Sequence, residues 1–359
     1  MSDPREILKQ FGIASPLLPF GNGHINDTYI TEDRAFILQR INTSVFNDPK
    51  GLTDNVVLIT GYLKTWLSAN GGDPERETLT PIPATNGAWY VRTDSGECFR
   101  LYKTIQGTVS YDSATPELLY QAAKGFGRFQ KMLSGFPADR LKETIPNFHN
   151  TRSRFEALRT AVDADMYSRV SIAKAEIDFC YAREADTDVI VSAIAEGRIP
   201  LRVTHNDTKL NNVMMDEVTG TAVCVIDLDT VMPGSLLYDY GDALRFGAST
   251  AAEDERDLSL VHFDLNLFET FTKGFLEELG DRLTASEAAL LPFSVKLITM
   301  ECGMRFLTDY LSGDTYFKTS RPGQNLDRCR TQLKLVKEIE EKTPEMKRIV
   351  SDILEGLCK

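Results

Sequence analysis

Residues His205–Asn212 read HNDTKLNN. An aspartate stands two places after the histidine, a lysine two after the aspartate, and an asparagine five after it. This is the register of loops that move the γ-phosphate of ATP onto an alcohol. There the aspartate takes the hydroxyl proton, the lysine meets the transferring phosphate, and the asparagine holds a magnesium ion. Asp207, Lys209 and Asn212 are candidates for those three tasks. Four distinct chemical requirements coincide at fixed spacing, which a merely polar turn does not demand.

The next residues supply a further carboxylate. Two short apolar runs, Val213–Met215 and Ala222–Ile226, flank a polar turn containing Gly220, the pattern of a β-hairpin. A hairpin brings its ends together, so Asp227 lands beside Asn212 although it lies 20 residues past Asp207. Asp227 and Asp229 are two apart and would point the same way from an extended strand. Carboxylates with an amide oxygen suit Mg²⁺. The candidate ligands are Asn212, Asp227 and Asp229, with Asp229 equally open to a role as a hydrogen-bond partner behind them.

The elements that must hold these groups divide along the chain. The first hundred residues alternate strands and turns, with strands at 27–31, 35–41, 88–92 and 98–102 and one helix over 52–69 presenting Val56, Ile59, Leu63 and Trp66. After Lys103–Gly107 the pattern turns mostly helical, with helices over Pro116–Leu133 and Thr151–Ala164. A last helix opens with Thr343 as N-cap and Pro344 in its first turn. The expectation is an α+β, bilobal, eukaryotic-kinase-like fold. A small antiparallel-sheet N-lobe over 1–103 joins a larger helical C-lobe over 108–359 through a hinge at 104–107, with ATP in the cleft. Gly21-Asn22-Gly23, just before the strand at 27–31, fits a loop whose amides meet phosphates, and fits an ordinary β-turn equally well.

Composition narrows the partners. The chain has 359 residues, 42% of them apolar and 26% charged, ordinary for a globular protein with a large core. Its net charge of −12 argues against non-specific binding to nucleic acid or anionic membranes. It also offers ATP no general attraction, so phosphate affinity must come from lysine, backbone amides and metal. Six scattered cysteines without a CxxC pair read as free thiols of a reducing cytoplasm. No apolar run reaches the ~18 residues of a membrane span. Oligomeric state leaves no trace in these patterns.

HNDTKLNN followed by VIDLD resembles the aminoglycoside phosphotransferase and choline kinase superfamily. FGNGHIND (20–27), FILQRINTSVF (36–46), RFGAST (245–250) and MECGMRF (300–306) are similar to a narrower group, the N-acetylhexosamine 1-kinases. Those strings lie along most of the chain. The resemblance implies ATP-dependent, Mg²⁺-supported phosphorylation of the anomeric hydroxyl of N-acetylglucosamine or N-acetylgalactosamine, with Asp207 as general base. It also implies His24, Phe246, Arg305 and Tyr316 near the sugar. Asp239 and Asp242 are expected to brace the catalytic loop.

The chain departs from that superfamily on the third strand. The position usually held by a phosphate-binding lysine is Gln39, with Arg40 on the opposite face, and the helix over 52–66 contains no glutamate. Gln39 is expected to hydrogen-bond a phosphate instead, with Lys209 supplying charge. Two other readings stay open: a kinase for an aminoglycoside or another small alcohol, and a nucleotide-binding pseudokinase. Ile-Asp-Leu-Asp in place of Asp-Phe-Gly, and the lack of Ala-Pro-Glu after it, argue against a protein kinase.

Overall fold

The computed structural model describes residues 2–21 and 25–357. The expectations placed on Asn22, Gly23 and His24 therefore lie outside the described residues, as does Cys358. The architecture is a protein-kinase-like one with an antiparallel sheet in the N-terminal part and a helical C-terminal part. The chain packs as two compact units. Met1–Ser110, Met132–Pro146 and Asn211–Pro233 form the first, and Tyr111–Lys131, Asn147–Leu210 and Gly234–Lys359 the second. The two later segments of the first unit were not anticipated from contiguous stretches of sequence.

In chain order the first elements are α1 (Pro4–Lys9), β1 (Leu17–Pro19), β2 (Asp27–Thr31), β3 (Phe36–Ile41), α2 (Pro49–Ala69), β4 (Thr80–Ile82), β5 (Val91–Arg92), β6 (Cys98–Lys103) and β7 (Thr108–Val109). Strands run β1-β2-β3-β6-β4, with β5 also on β6, all antiparallel. Only Val91 and Arg92 of the expected 88–92 strand pair. β6 is buried from Cys98 through Tyr102, so both of its faces are covered. Phe99 and Leu101 pack with Leu38, Ile7 and Leu8 into an apolar core. The period of two sends Arg100 and Tyr102 to the other face. Helix α2 starts where Asp48 accepts the Gly51 N–H at 2.9 Å, with Pro49 in the first turn. It buries Leu52, Val56, Ile59, Leu63 and Leu67, while Trp66 is only half-buried because Leu67 fills the place expected for it.

The chain continues through α3 (Pro116–Leu133), α4 (Thr151–Ala164), α5 (Lys174–Tyr181), α6 (Val189–Ala195), β8 (Arg202–Thr204), β9 (Val213–Asp216), β10 (Ala222–Val225), β11 (Met232–Gly234), α7 (Leu236–Gly247), α8 (Leu265–Leu279), α9 (Ala285–Leu311) and α10 (Gln324–Leu357). β9 and β10 form the expected hairpin and join β7 in a three-stranded sheet of the first unit. In the second unit α9 is the axis on which α4, α7 and α10 pack. It begins at a capping box between Thr284 and Glu287.

The tail corrects one expectation. Pro344 opens no new helix; α10 runs through it. Proline removes one intrahelical hydrogen bond. Ile339, Met346, Ile349 and Val350 are nevertheless buried along one stripe, and that packing keeps the helix whole. The cysteines at 98, 180, 224, 302 and 329 are free, as expected. Among the described residues no helix is long and apolar enough to cross a membrane.

Helix α7 lies against α9 at Gly241, where an added Cβ would sit 2.6 Å from the Ser294 carbonyl oxygen. That atom is backbone and cannot swing aside. Gly241→Ala should destabilise by about 1–3 kcal/mol, read as a melting temperature lowered by several degrees in a thermal scan.

Candidate active site

The strand β8 delivers the chain into His205, a fully buried residue whose ring packs edge-on against Phe126 at 5.6 Å and Phe129 at 6.0 Å. Its Nδ1 accepts the Asp207 N–H at 3.3 Å. Asn206 takes the left-handed conformation (φ 65°), which asparagine tolerates better than most residues. The chain thereby reverses and brings out the next side chains.

What holds this turn is Asp239 in the first turn of α7. Its carboxylate accepts the N–H groups of His205 (2.9 Å) and Asn206 (2.8 Å) and the Gln130 amide (2.7 Å). The Thr208 hydroxyl donates to the Asp239 carbonyl at 2.8 Å, and the Thr208 N–H to Asp242 at 3.2 Å. Burial pushes the Asp239 carboxyl up, against those hydrogen bonds. Burial alone would also raise Asp242, but Arg245, His149 and Lys209 hold it below the ordinary carboxylate range. Both residues brace the loop, as expected from their place in LYDYGD.

At the tip of the loop the Lys209 ammonium meets the Asp207 carboxylate at 2.6 Å. Lys209 is half exposed and Asp207 a quarter exposed. Burial would lower the Lys209 pKa, yet the Asp207 charge and hydrogen bond raise it, so the ammonium stays charged. Phe246 is brought to the same end of the loop. With Thr208, Lys209, Leu119, Phe126 and Phe271 it lines a recess of about 30 Å³, room for one small group.

Asn212 and Asp227 belong to the first unit. The Ile226 N–H donates to the Asn212 carbonyl at 2.9 Å, closing the base of the hairpin as expected. Asn212 is buried and Asp227 exposed. The shared direction expected for Asp227 and Asp229 does not hold. Asp227 is left-handed (φ 57°) and Leu228–Thr230 coil into a 3₁₀ turn, so the segment is not a strand. Asp229 is buried, and its carboxylate pairs with Arg100 at 2.5 Å and accepts from Asn26 at 2.7 Å. It is a partner behind Asp227, not a ligand beside it. Among the described residues no three His, Cys, Asp or Glu side chains cluster to hold a metal. The donor set that remains is one exposed carboxylate and one amide oxygen. This fits Mg²⁺, which keeps several waters and takes phosphate oxygens.

Sequence reasoning missed Arg100. It lies opposite Gln39 in the β3–β6 ladder, and its Nε and Nη2 donate to the Gln39 side-chain oxygen Oε1 at 3.1 and 2.9 Å. The oxygen of Gln39 is thus engaged by Arg100, and its amide nitrogen faces Thr28. Burial would lower the Arg100 pKa, but Asp229, with Asp227 beyond it, holds it above the ordinary value. The signal was an arginine at an alternating position of an otherwise apolar strand. Arg40 faces the other way, as expected, and pairs with Asp27 and Glu97. Gly21 takes φ 76° at a turn after Phe20, whose N–H donates to Thr28.

Arg305 and Tyr316 come together in the second unit. The Arg305 guanidinium lies 6.0 Å from the Tyr316 ring, 5.1 Å from Phe148 and 5.5 Å from Phe317. Among the described residues no carboxylate pairs with it. Arg154, also without a carboxylate, donates to the Phe148 carbonyl. Burial and the neighbouring Arg305 charge lower the Arg154 pKa. Tyr316 is set by Asp309, another residue missed from sequence. That buried carboxylate accepts the N–H groups of Thr315, Tyr316 and Phe317 at 2.8–2.9 Å.

Residues 16–272 match the model of the phosphotransferase enzyme family, well over half of the chain. Similar solved structures include a microcompartment-associated aminopropanol kinase (16% identity, 96% of this chain and 98% of that one, TM-score 0.58). An aminoglycoside phosphotransferase from Alicyclobacillus acidocaldarius is 13% identical over 99% of this chain and 97% of its own, TM-score 0.61. A spectinomycin phosphotransferase in complex with ADP and spectinomycin is 12% identical over 95% and 98%, TM-score 0.58. At these identities the likeness is one of fold.

Removing the brace should disable the loop without touching its tip. Asp239→Ala should lower kcat for phosphate transfer roughly 10–100-fold, the usual effect of losing a group that orients site residues. Steady-state kinetics on folded protein measures it, and a kcat within twofold of wild type would remove Asp239 from that role.

Proposed function

Because the chain belongs to the phosphotransferase enzyme family, we propose that it transfers the γ-phosphate of ATP to the anomeric hydroxyl of an N-acetylhexosamine. Asp207 is the general base, taking the proton of the attacking hydroxyl as the new O–P bond forms and the bond from the γ-phosphorus to the bridging oxygen breaks, ADP leaving with that electron pair. Lys209, kept cationic beside it, meets the phosphate. Asn212 and Asp227 would hold Mg²⁺, which when bound neutralises phosphate charge. Backbone amides at the Gly21 turn complete the nucleotide side.

The observation that carries the acceptor assignment is the unmatched guanidinium of Arg305 in its frame of Phe148, Tyr316 and Phe317. A neutral sugar has no charge to anchor, so it is oriented by planar donors and an aromatic face. Arg305 supplies donors to hydroxyl or amide oxygens, and Tyr316, 65% exposed, offers a ring face. The methyl of the acetamido group matches the small apolar recess beneath Phe246 in size and character. A polycationic aminoglycoside would meet the uncompensated charges of Arg305 and Arg154 instead, which disfavours that acceptor. The charged Lys209 beside Asp207 likewise speaks for turnover over a nucleotide-binding pseudokinase.

The experiment is ATP with a panel of N-acetylhexosamines, the parent hexoses and kanamycin, scored by which hydroxyl is phosphorylated. The expected product is the 1-phosphate of the N-acetylated sugars. A 6-phosphate, or kanamycin turnover without hexosamine turnover, overturns the reading. Asp207→Asn should cost roughly 10²–10⁴-fold in kcat while ADP still binds. Arg305→Ala should lower kcat/KM for the sugar at least tenfold, since each polar group left unpaired costs about 1–3 kcal/mol, with the KM for ATP unmoved. Phe246→Ala should reduce the preference for N-acetylated over parent sugars in the same panel.

A further inference from the structure

The superfamily's strand lysine and helix glutamate are both missing here, yet the sheet does carry a buried ion pair. Arg100 stands one strand over, opposite Gln39, and is 3% exposed. Its partner Asp229 is likewise 3% exposed and lies two residues after Asp227. We propose that Arg100 and Asp229 act as a positioning pair that sets the Asp227 carboxylate for Mg²⁺, replacing the missing pair by fixing the metal loop.

Geometry carries the inference. Asp227 is exposed and left-handed, a backbone state a non-glycine residue keeps only when its surroundings impose it. Its neighbours are restrained on both sides. Ile226 is tied to Asn212, and Val231 accepts from the Asn55 amide at 3.1 Å. Asp229 is held through both carboxylate oxygens, by Arg100 and Asn26, and through its carbonyl by the Thr144 hydroxyl at 3.1 Å. Arg100 is in turn clamped by the Gln39 side-chain oxygen and lies 5.2 Å from the Tyr102 ring. The pair therefore joins the central strand of the sheet to the turn that presents Asp227.

Charge makes the same point. An uncompensated guanidinium at this place would attract Asp227 and oppose a cation bound there. Asp229 neutralises Arg100, leaving the Asp227 charge for the ion. Neither residue touches substrate, so both are positioning residues.

The inference rests on the reading of Asn212 and Asp227 as Mg²⁺ ligands, and the test separates the two. ADP binding is measured by calorimetry at stepped Mg²⁺ concentrations, with circular dichroism and thermal melting on each variant. Asp229→Asn keeps the shape and leaves Arg100 unmatched. It should raise the Mg²⁺ concentration for half-maximal ADP affinity at least tenfold. The neutral double variant Arg100→Gln/Asp229→Asn should bring that concentration back to within about threefold of wild type. Asn26→Ala loosens Asp229 without changing any charge and covers the case in which Asp229→Asn does not fold. It should give a two- to fivefold rise. Arg40→Gln, which breaks a surface pair on the same sheet, should change nothing. A lower melting temperature with an unchanged Mg²⁺ requirement in Asp229→Asn or Asn26→Ala would make the pair merely structural and overturn the proposal. So would an equal shift in Arg40→Gln. Wild-type ADP binding that ignores Mg²⁺ would overturn the metal reading itself, and this inference with it.

Discussion

A carboxylate without water must find donors, and three buried carboxylates of this chain do. Asp239, Asp309 and Asp229 are each at most 4% exposed. Burying an ionised group costs several kcal/mol unless it is paired or well hydrogen-bonded. Asp239 meets that demand with the backbone of His205 and Asn206, Asp309 with that of Thr315, Tyr316 and Phe317, and Asp229 with Arg100 and Asn26. In the first two cases the donors are N–H groups of a loop, so satisfying the carboxylate fixes the loop. Each loop then carries its candidate site residues beyond the clamp: Asp207 and Lys209 in one, Tyr316 in the other.

The division between buried root and accessible tip suits phosphoryl transfer. Catalysis of that reaction is mostly placement and charge stabilisation, so groups must be fixed before substrate arrives. Lys209 and Asp227 are open to solvent, while Asp239 and Asp229 are buried. Rigid roots also explain how left-handed backbone at Asn206 and Asp227 persists in residues other than glycine.

Local charge departs from the global balance. The chain is strongly acidic, yet Arg154 and Arg305 lie near one another without carboxylate partners among the described residues. Net charge speaks to steering and solubility; recognition depends on the few groups that a ligand displaces water from. Here two guanidinium ions lie among the rings of Phe148, Tyr316 and Phe317.

Much of this was legible in the chain alone. The catalytic string at 205–212, the hairpin that returns to Asn212, the helices over 116–133 and 151–164, and the sheet-before-helix order all follow from short-range spacing and periodicity, which sequence records directly. The resemblance in HNDTKLNN and VIDLD agrees with the phosphotransferase family match over 16–272. Other features, the role of Asp309 among them, were not legible. Asp229 stood between ligand and hydrogen-bond partner because a period of two was assumed where the chain coils into a 3₁₀ turn. Arg100 read as one residue of a hairpin, because its meaning depends on Gln39, 61 residues earlier, and Asp229, far downstream. Pro344 read as a helix start, because only the packing of Ile339 and Met346 overrides its local preference. Sequence determined which chemical groups the loops present, since those choices are local. Tertiary structure decided which of the carboxylates are buried and paired, because burial is a property of residues brought together from distant parts of the chain.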